Sequence, residues 1–125
     1  MSFEADLKAH LQASAALVAL VADRITPVIR EEGAAVPAVS YQIVASDPMA
    51  NLDSMDTALR NIRLQLDCWS RAHSDVVAMA DAIRTRMDTA AATFASVALP
   101  TLVDDYESDT RLYRRMLEFS CWYTP

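Results

Sequence analysis

Between Thr57 and Trp69 the chain alternates steadily, with Ile62, Leu64, Leu66 and Cys68 on one parity and Asn61, Arg63, Gln65 and Asp67 on the other. Successive side chains of a strand point to opposite faces, so this run predicts a long strand with one apolar and one polar face. The apolar face requires a covering layer. The polar face must meet water or a partner.

Other segments supply the layer and the rest of the sheet. From Phe3 to Ala22 the apolar residues Phe3, Leu7, Leu11, Val18 and Val21 recur at helical spacing, with Ser2 placed to cap and acids in the first turn. A second helical pattern runs from Ser70 to Asp88, with Val76, Ala80, Ile83 and Met87 on one stripe and Ser70 or Ser74 as its cap. Strand patterns occupy Ile25 to Ile29, bounded by Pro27 and the Glu31-Glu32-Gly33 turn, and Ala38 to Ala45, where Val39, Tyr41 and Ile43 alternate with Ser40 and Gln42. After a linker from Thr89 to Ala92, Phe94, Val97, Leu99 and Leu102 predict a strand interrupted at Pro100. In the last strand Leu117, Phe119, Cys121 and Tyr123 alternate with Glu118, Ser120 and Trp122. The segment from Ser46 to Asp56 has no periodicity and carries Pro48, Asn51 and three aspartates, Asp47, Asp53 and Asp56, which reads as an arm or binding loop.

The order is therefore α-β-β-β-α-β-β in one domain spanning residues 1–125. Strands in runs with two intervening helices predict an α+β fold: an antiparallel-dominated sheet of four to five strands with two helices packed on one face.

Composition excludes several functions. Gly33 is the single glycine, whereas phosphate-cradling loops and dinucleotide fingerprints need several at fixed spacing. Eleven basic against seventeen acidic residues give a net charge of −6, which opposes a general nucleic-acid surface. The start, Met1-Ser2-Phe3-Glu4-Ala5-Asp6, has no basic n-region, so the expectation is a chain that stays in the cytoplasm. The apolar stretch Leu11 to Ala22 is too short for a membrane span and is broken by Gln12 and Ser14. No membrane partner is expected.

Catalysis needs convergent titratable groups, and the sequence offers none. His10 and His73 read as solvent-facing on the polar flanks of different helices, without ligands at zinc spacing. Cys68 shares parity with the core residues Ile62, Leu64 and Leu66, and Cys121 also lies in an alternating run, so both are expected to be buried, reduced thiols. The acidic stretch Asp104-Asp105-Tyr106-Glu107-Ser108-Asp109 lacks the ligand alternation and glycine of an EF-hand loop. No catalytic residue, cofactor or metal is expected. Because Arg111, Arg114 and Arg115 follow those acids, this corner also suits contacts with basic groups on a neighbouring copy.

If the strand from Thr57 and the last strand pair, Arg63, Gln65, Asp67, Trp69, Glu118, Ser120 and Trp122 share the face away from the helices. Two tryptophans among arginines and acids match the composition of binding surfaces. The alternative is that both tryptophans cap the edges of the core.

The blocks Leu17-Val18-Ala19-Leu20-Val21-Ala22-Asp23-Arg24-Ile25, Val39-Ser40-Tyr41, Ile62-Arg63-Leu64-Gln65-Leu66-Asp67-Cys68-Trp69, Ala78-Met79-Ala80-Asp81-Ala82-Ile83-Arg84, Asp104-Asp105-Tyr106 and Leu112-Tyr113-Arg114-Arg115-Met116-Leu117-Glu118-Phe119-Ser120-Cys121-Trp122 follow one another over nearly the whole chain. In order, spacing and total length they resemble the tail-completion, or tail-terminator, proteins of long-tailed phages (siphophages) and phage-like particles. The segment from Ser46 to Asp56 carries no motif of that family.

The resemblance implies a structural, non-enzymatic virion assembly protein. It would form a homo-oligomeric ring, usually a hexamer, on the head-proximal end of the tail tube. That ring would stop polymerisation of the major tail tube protein, present a surface to the head-neck stopper or connector protein, and let DNA pass through its lumen without specific binding. Assembly would take place in the host cytoplasm. Under this reading the assembly contacts are expected at Asp47, Asp53, Asp56, Arg63 and Trp69, and at Asp104, Asp105, Asp109, Arg111, Arg114 and Arg115. Three alternatives remain: another neck component such as a stopper or adaptor, a small cytosolic α+β ligand-binding protein or enzyme, and a dimeric regulator.

Overall fold

In the computed structural model, residues 2–27, 35–48, 59–89 and 94–124 are described. Three helices and five strands follow in the order α1 (Phe3–Gln12), α2 (Ala15–Val21), β1 (Ile25–Pro27), β2 (Ala38–Pro48), β3 (Arg60–Ser70), α3 (His73–Met87), β4 (Phe94–Glu107) and β5 (Leu112–Tyr123). One sheet contains all five strands in the order β1-β2-β3-β5-β4. Its pairs are antiparallel except for β1 with β2. The α+β architecture expected from the sequence is the one observed.

The N-terminal helical stretch is two helices rather than one. Ser2 caps α1, its Oγ accepting from the Ala5 amide at 3.1 Å, and Ser14 starts a new helix by accepting from the Leu17 amide at 3.3 Å. Restarting the helix at Ser14 shifts its phase: Leu17 is fully buried and Val18, read from the sequence as a core position, is 36% exposed. Ala22 ends α2 at φ 53°.

At α3 the expected serine cap is displaced. The N-cap residue is Ala72, and Ser70, two positions earlier, accepts from the Ala72 amide and donates to Asp75 at 2.8 Å.

Three loop assignments also change. β2 continues through Ser46, Asp47 and Pro48, positions read as loop, because Ser46 pairs with Ile62 and Asp47 with Asn61 after a register shift between Ile43 and Ala45. Residues 49–56, with Asp53 and Asp56, lie outside the described residues. β4 is not interrupted at Pro100. Between Ala98, opposite Phe119, and Leu102, opposite Leu117, the strand bulges so that Leu99, Pro100 and Thr101 face the single residue Glu118. Proline is tolerated there because β4 is the sheet's edge. Asp104 to Glu107, read as a corner, belong to β4, and the turn proper spans residues 108–111, with Arg111 at φ 58°.

The alternation in β3 meets its expectation: Ile62, Leu64, Leu66 and Cys68 are buried with Leu117, Phe119 and Cys121 of β5. Leu7 and Leu11 of α1, Leu17 and Val21 of α2, and Val76, Met79, Ile83 and Met87 of α3 complete the same cluster from one side of the sheet. Phe3 closes its end edge-on against Phe94 and Tyr123, with ring centroids 5.5 and 5.2 Å away.

Candidate assembly surface

With all helices on one side, the other face of the sheet is open, and its register decides which polar residues meet. Asn61 stands opposite Trp122, Arg63 opposite Ser120, Gln65 opposite Glu118, Asp67 opposite Met116 and Trp69 opposite Arg114. The sequence expectation that Arg63, Gln65, Asp67, Trp69, Glu118, Ser120 and Trp122 share one face is therefore met.

These residues bind one another. The Arg63 guanidinium donates from Nε and Nη2 to Glu118 Oε2 at 3.0 and 2.6 Å. Arg114 Nε donates to Asp67 Oδ1 at 3.1 Å, and Gln65 donates to the same carboxylate. The Arg114 guanidinium carbon lies 5.4 Å from the Trp69 ring centroid, and Trp69 Nε1 donates to Ser40 Oγ of β2 at 3.0 Å. Asn61 donates to Ser120. Asp67 is 6% exposed despite lying on the open face, so its pairing with Arg114 is what makes a charge tolerable there. Trp69 is thus tied into the sheet, whereas Trp122 is 42% exposed.

A second polar group lies on the helix side, where β4 and β5 extend beyond the core. Asp104 accepts from Arg115 Nε at its Oδ1 at 2.7 Å and from Nη2 at its Oδ2 at 2.9 Å, and His73 Nε2 at the start of α3 lies 3.6 Å from Oδ2. The Arg115 hydrogen bonds hold the Asp104 carboxyl below its ordinary range, with smaller help from His73, and the same contact raises Arg115. The Tyr113 ring packs against His73 at 5.5 Å and against Tyr106 at 4.9 Å.

The structure thus brings together Arg63, Trp69 and Arg114 on the open face and joins Asp104 to Arg115 across β4 and β5. Asp105 pairs in register with Arg114, while Asp109 and Arg111 occupy the hairpin turn. None of these three forms an ion pair among the described residues. Asp47 is in β2, opposite Asn61.

Sequence reasoning placed a strand here but missed that β4 is an exposed edge of the sheet. Val97, Leu102, Val103 and Tyr106 are 62, 41, 47 and 48% exposed on this edge strand. Pro100 was the available signal, since proline within a strand marks an edge. The reading of His10 as solvent-facing is corrected: it is 7% exposed, its Nε2 is 3.0 Å from the Arg86 carbonyl, and Arg86 Nε donates to the His10 carbonyl at 2.7 Å. Its ring lies edge-on to Phe94.

Both cysteines are buried and free, and burial pushes each thiol up to about 12. Among the described residues no group of three or more His, Cys, Asp or Glu side chains is placed to hold a metal ion. No described helix is long and apolar enough to cross a membrane. An open depression of about 270 Å³ between α1, β1 and β2 is lined by Glu4, Pro27, Tyr41, Gln42 and Ile43, which offers one carboxylate and one phenol but no nucleophile and base together.

The family described as Tail completion protein gp17 matches residues 5–124, almost the whole chain. The chain belongs to that family. Membership gives it a structural role in the virion tail. No curated protein sequence matches it. Among solved structures, the fold is similar to a chain of the structure titled "Virion of native gene transfer agent (GTA) particle", at 15% identity and a TM-score of 0.75, covering 99% of this chain and 96% of that one.

Proposed function

We propose that this family member is a tail terminator: copies of the chain close into a ring, a homo-hexamer, on the head-proximal end of the tail tube. The ring stops addition of the major tail tube protein and offers the opposite surface to a head-neck stopper or connector protein, while DNA passes through its lumen. The observation that carries the reading is the family match over residues 5–124, and the full-length likeness to a chain from a phage-like virion supports it.

The molecule's physics agrees with it. A ring needs two different, mutually complementary surfaces on each copy, and among the described residues the sheet ends in two unlike edges, β1 with β2 beside it and the fourteen-residue β4. The net charge of −6 gives a lumen no general attraction for a passing duplex. The open-face arginines are matched by Glu118 and Asp67, so they offer phosphate little. Of the expected contacts whose side chains are described, Asp105, Asp109 and Arg111 form no ion pair and are charges available to a neighbour, whereas Arg63, Asp104, Arg114 and Arg115 are already paired within the chain.

Deletion of the gene from its parent phage tests the role directly. Tails of uncontrolled length, or tails that fail to join heads, are expected. Infectious particles with normal tails would refute it. The native mass of the purified chain, alone and mixed with its tube protein, tests the ring.

A further inference from the structure

The two edges of the sheet carry more information than their lengths. β1 pairs only with Val39, Ser40 and Tyr41, so on the side away from β3 the later part of β2, residues 42–48, has no partner strand among the described residues. Following the register across the sheet, the row from Ile25 passes through Val39, Cys68 and Arg115 to Asp104, and the row from Ala45 passes through Arg63 and Ser120 to Val97. β4 therefore presents Phe94 to Ala98 at the level of β2 beyond the described end of β1, Leu102 to Asp104 at the level of β1, and Asp105 to Glu107 past its start.

Charge follows the same division. β2 carries none from Ala38 to Ser46 and β4 none from Phe94 to Val103, whereas Asp104, Asp105 and Glu107 fill the end of β4. Arg24 stands immediately before β1, held by hydrogen bonds from its Nε to the Pro37 carbonyl at 2.7 Å and from Nη2 to the Leu20 carbonyl at 3.1 Å. If β4 of one copy meets the β1–β2 edge of the next, an uncharged run lies beside an uncharged run, and the acidic end of β4 lies beside Arg24. Direction agrees too. β2, β3, β5 and β4 alternate in sense, so a copy carried across without inversion presents β2 antiparallel to β4.

The exposed apolar residues of β4 select an edge-on partner over a face-on one. Val97 and Val103 lie on the open face, in register with Ser120 and Met116, while Leu102 and Tyr106 lie on the helix face, in register with Leu117 and Tyr113. A partner laid flat on either face would leave the other pair in water, whereas a strand added along the edge lets its own side chains flank both. β4 also lacks the lysines that keep long edges from pairing.

We propose that this chain binds a second copy of itself edge to edge, the outer edge of β2 in one copy pairing antiparallel with β4 of the next, so that one sheet runs from copy to copy. This rests on the ring reading above and names its contact.

Paired cysteines test it. Val44 and Val97 are 49 and 62% exposed, while Cys68 and Cys121 are fully buried, so a chain carrying both Val44→Cys and Val97→Cys has two reactive thiols on opposite edges. A short bis-maleimide should give a ladder of linked species ending at the ring's subunit number, and each single variant should give none. Val97→Lys, at an exposed position that leaves the melting curve unchanged, should raise the concentration for half-assembly by about tenfold or more. A ring of unchanged mass with no ladder and no effect of Val97→Lys would overturn the edge pairing while leaving the ring standing. Dimers from Val97→Cys alone, stopping at two, would replace it with a two-fold β4 contact. A wild-type chain that stays monomeric even with its tube protein would remove the ring reading, and this pairing with it.

Discussion

Cys68 and Cys121 are fully buried, on β3 and β5 strands that are paired on both sides, and burial pushes both thiols up to about 12. Because the thiolate is the reactive species, and an ordinary cysteine titrates near about 8.5, these should react with a disulfide reagent at pH 8 roughly a thousandfold more slowly or worse. Labelling should follow the unfolding transition measured in urea. A fast phase in the native chain would mean that one of these strands opens on its own. This burial was legible in the sequence because parity alone placed both cysteines among core residues. His10 was not legible. Its polar type suggested solvent, and only the meeting of α1 and α3 supplies the Arg86 carbonyl that lets its ring go inside.

At the scale of elements, Asp104 of β4 binds Arg115 of β5 and lies beside His73 at the start of α3. In the folded chain Arg115 holds this carboxyl below its ordinary value near 3.8. A group with a depressed folded pKa adds stability that is present above the unfolded value and lost as pH falls through the folded one. The contribution of Asp104 should therefore be complete above about pH 4 and fade below it. Its side chain is 42% exposed, so solvent screening limits the term to about 1 kcal/mol or less. Asp104→Asn should lower stability by that much at pH 7 in urea titrations, and the difference should shrink as pH falls below about 4. An undiminished difference in acid would mean that packing, not charge, is lost. The sequence suggested that this charge run served a neighbour. Arg115 is eleven positions away in the chain, and only hairpin pairing brings it opposite Asp104. Strand patterns fixed by alternation, β3 and β5, were read from residues alone. The run of β4 through Pro100 was not, because a bulge depends on the partner strand and leaves no period in its own sequence.

For the molecule as a whole, each copy carries −6, so copies repel before they touch. Two kinds of contact could hold them against that repulsion, and salt separates them. Contacts between acids and bases at the hairpin, through Asp109 and Arg111, weaken as ions screen them. Pairing along the uncharged runs of β2 and β4 is made of backbone hydrogen bonds and apolar burial, which screening leaves nearly untouched while it relieves the general repulsion. The edge contact therefore predicts that assembly strengthens as salt rises from about 0.05 to 0.5 M, where the Debye length falls well below 10 Å. Sulfate should act more strongly than chloride, because it favours apolar burial. Native mass measured across a dilution series at each salt concentration reads this out directly. A midpoint that moves to higher protein concentration as salt increases would mean that charge contacts hold the copies together, at Asp109 and Arg111 of the hairpin or at Arg24 beside the acidic end of a neighbour's β4, and would make those the residues to reverse.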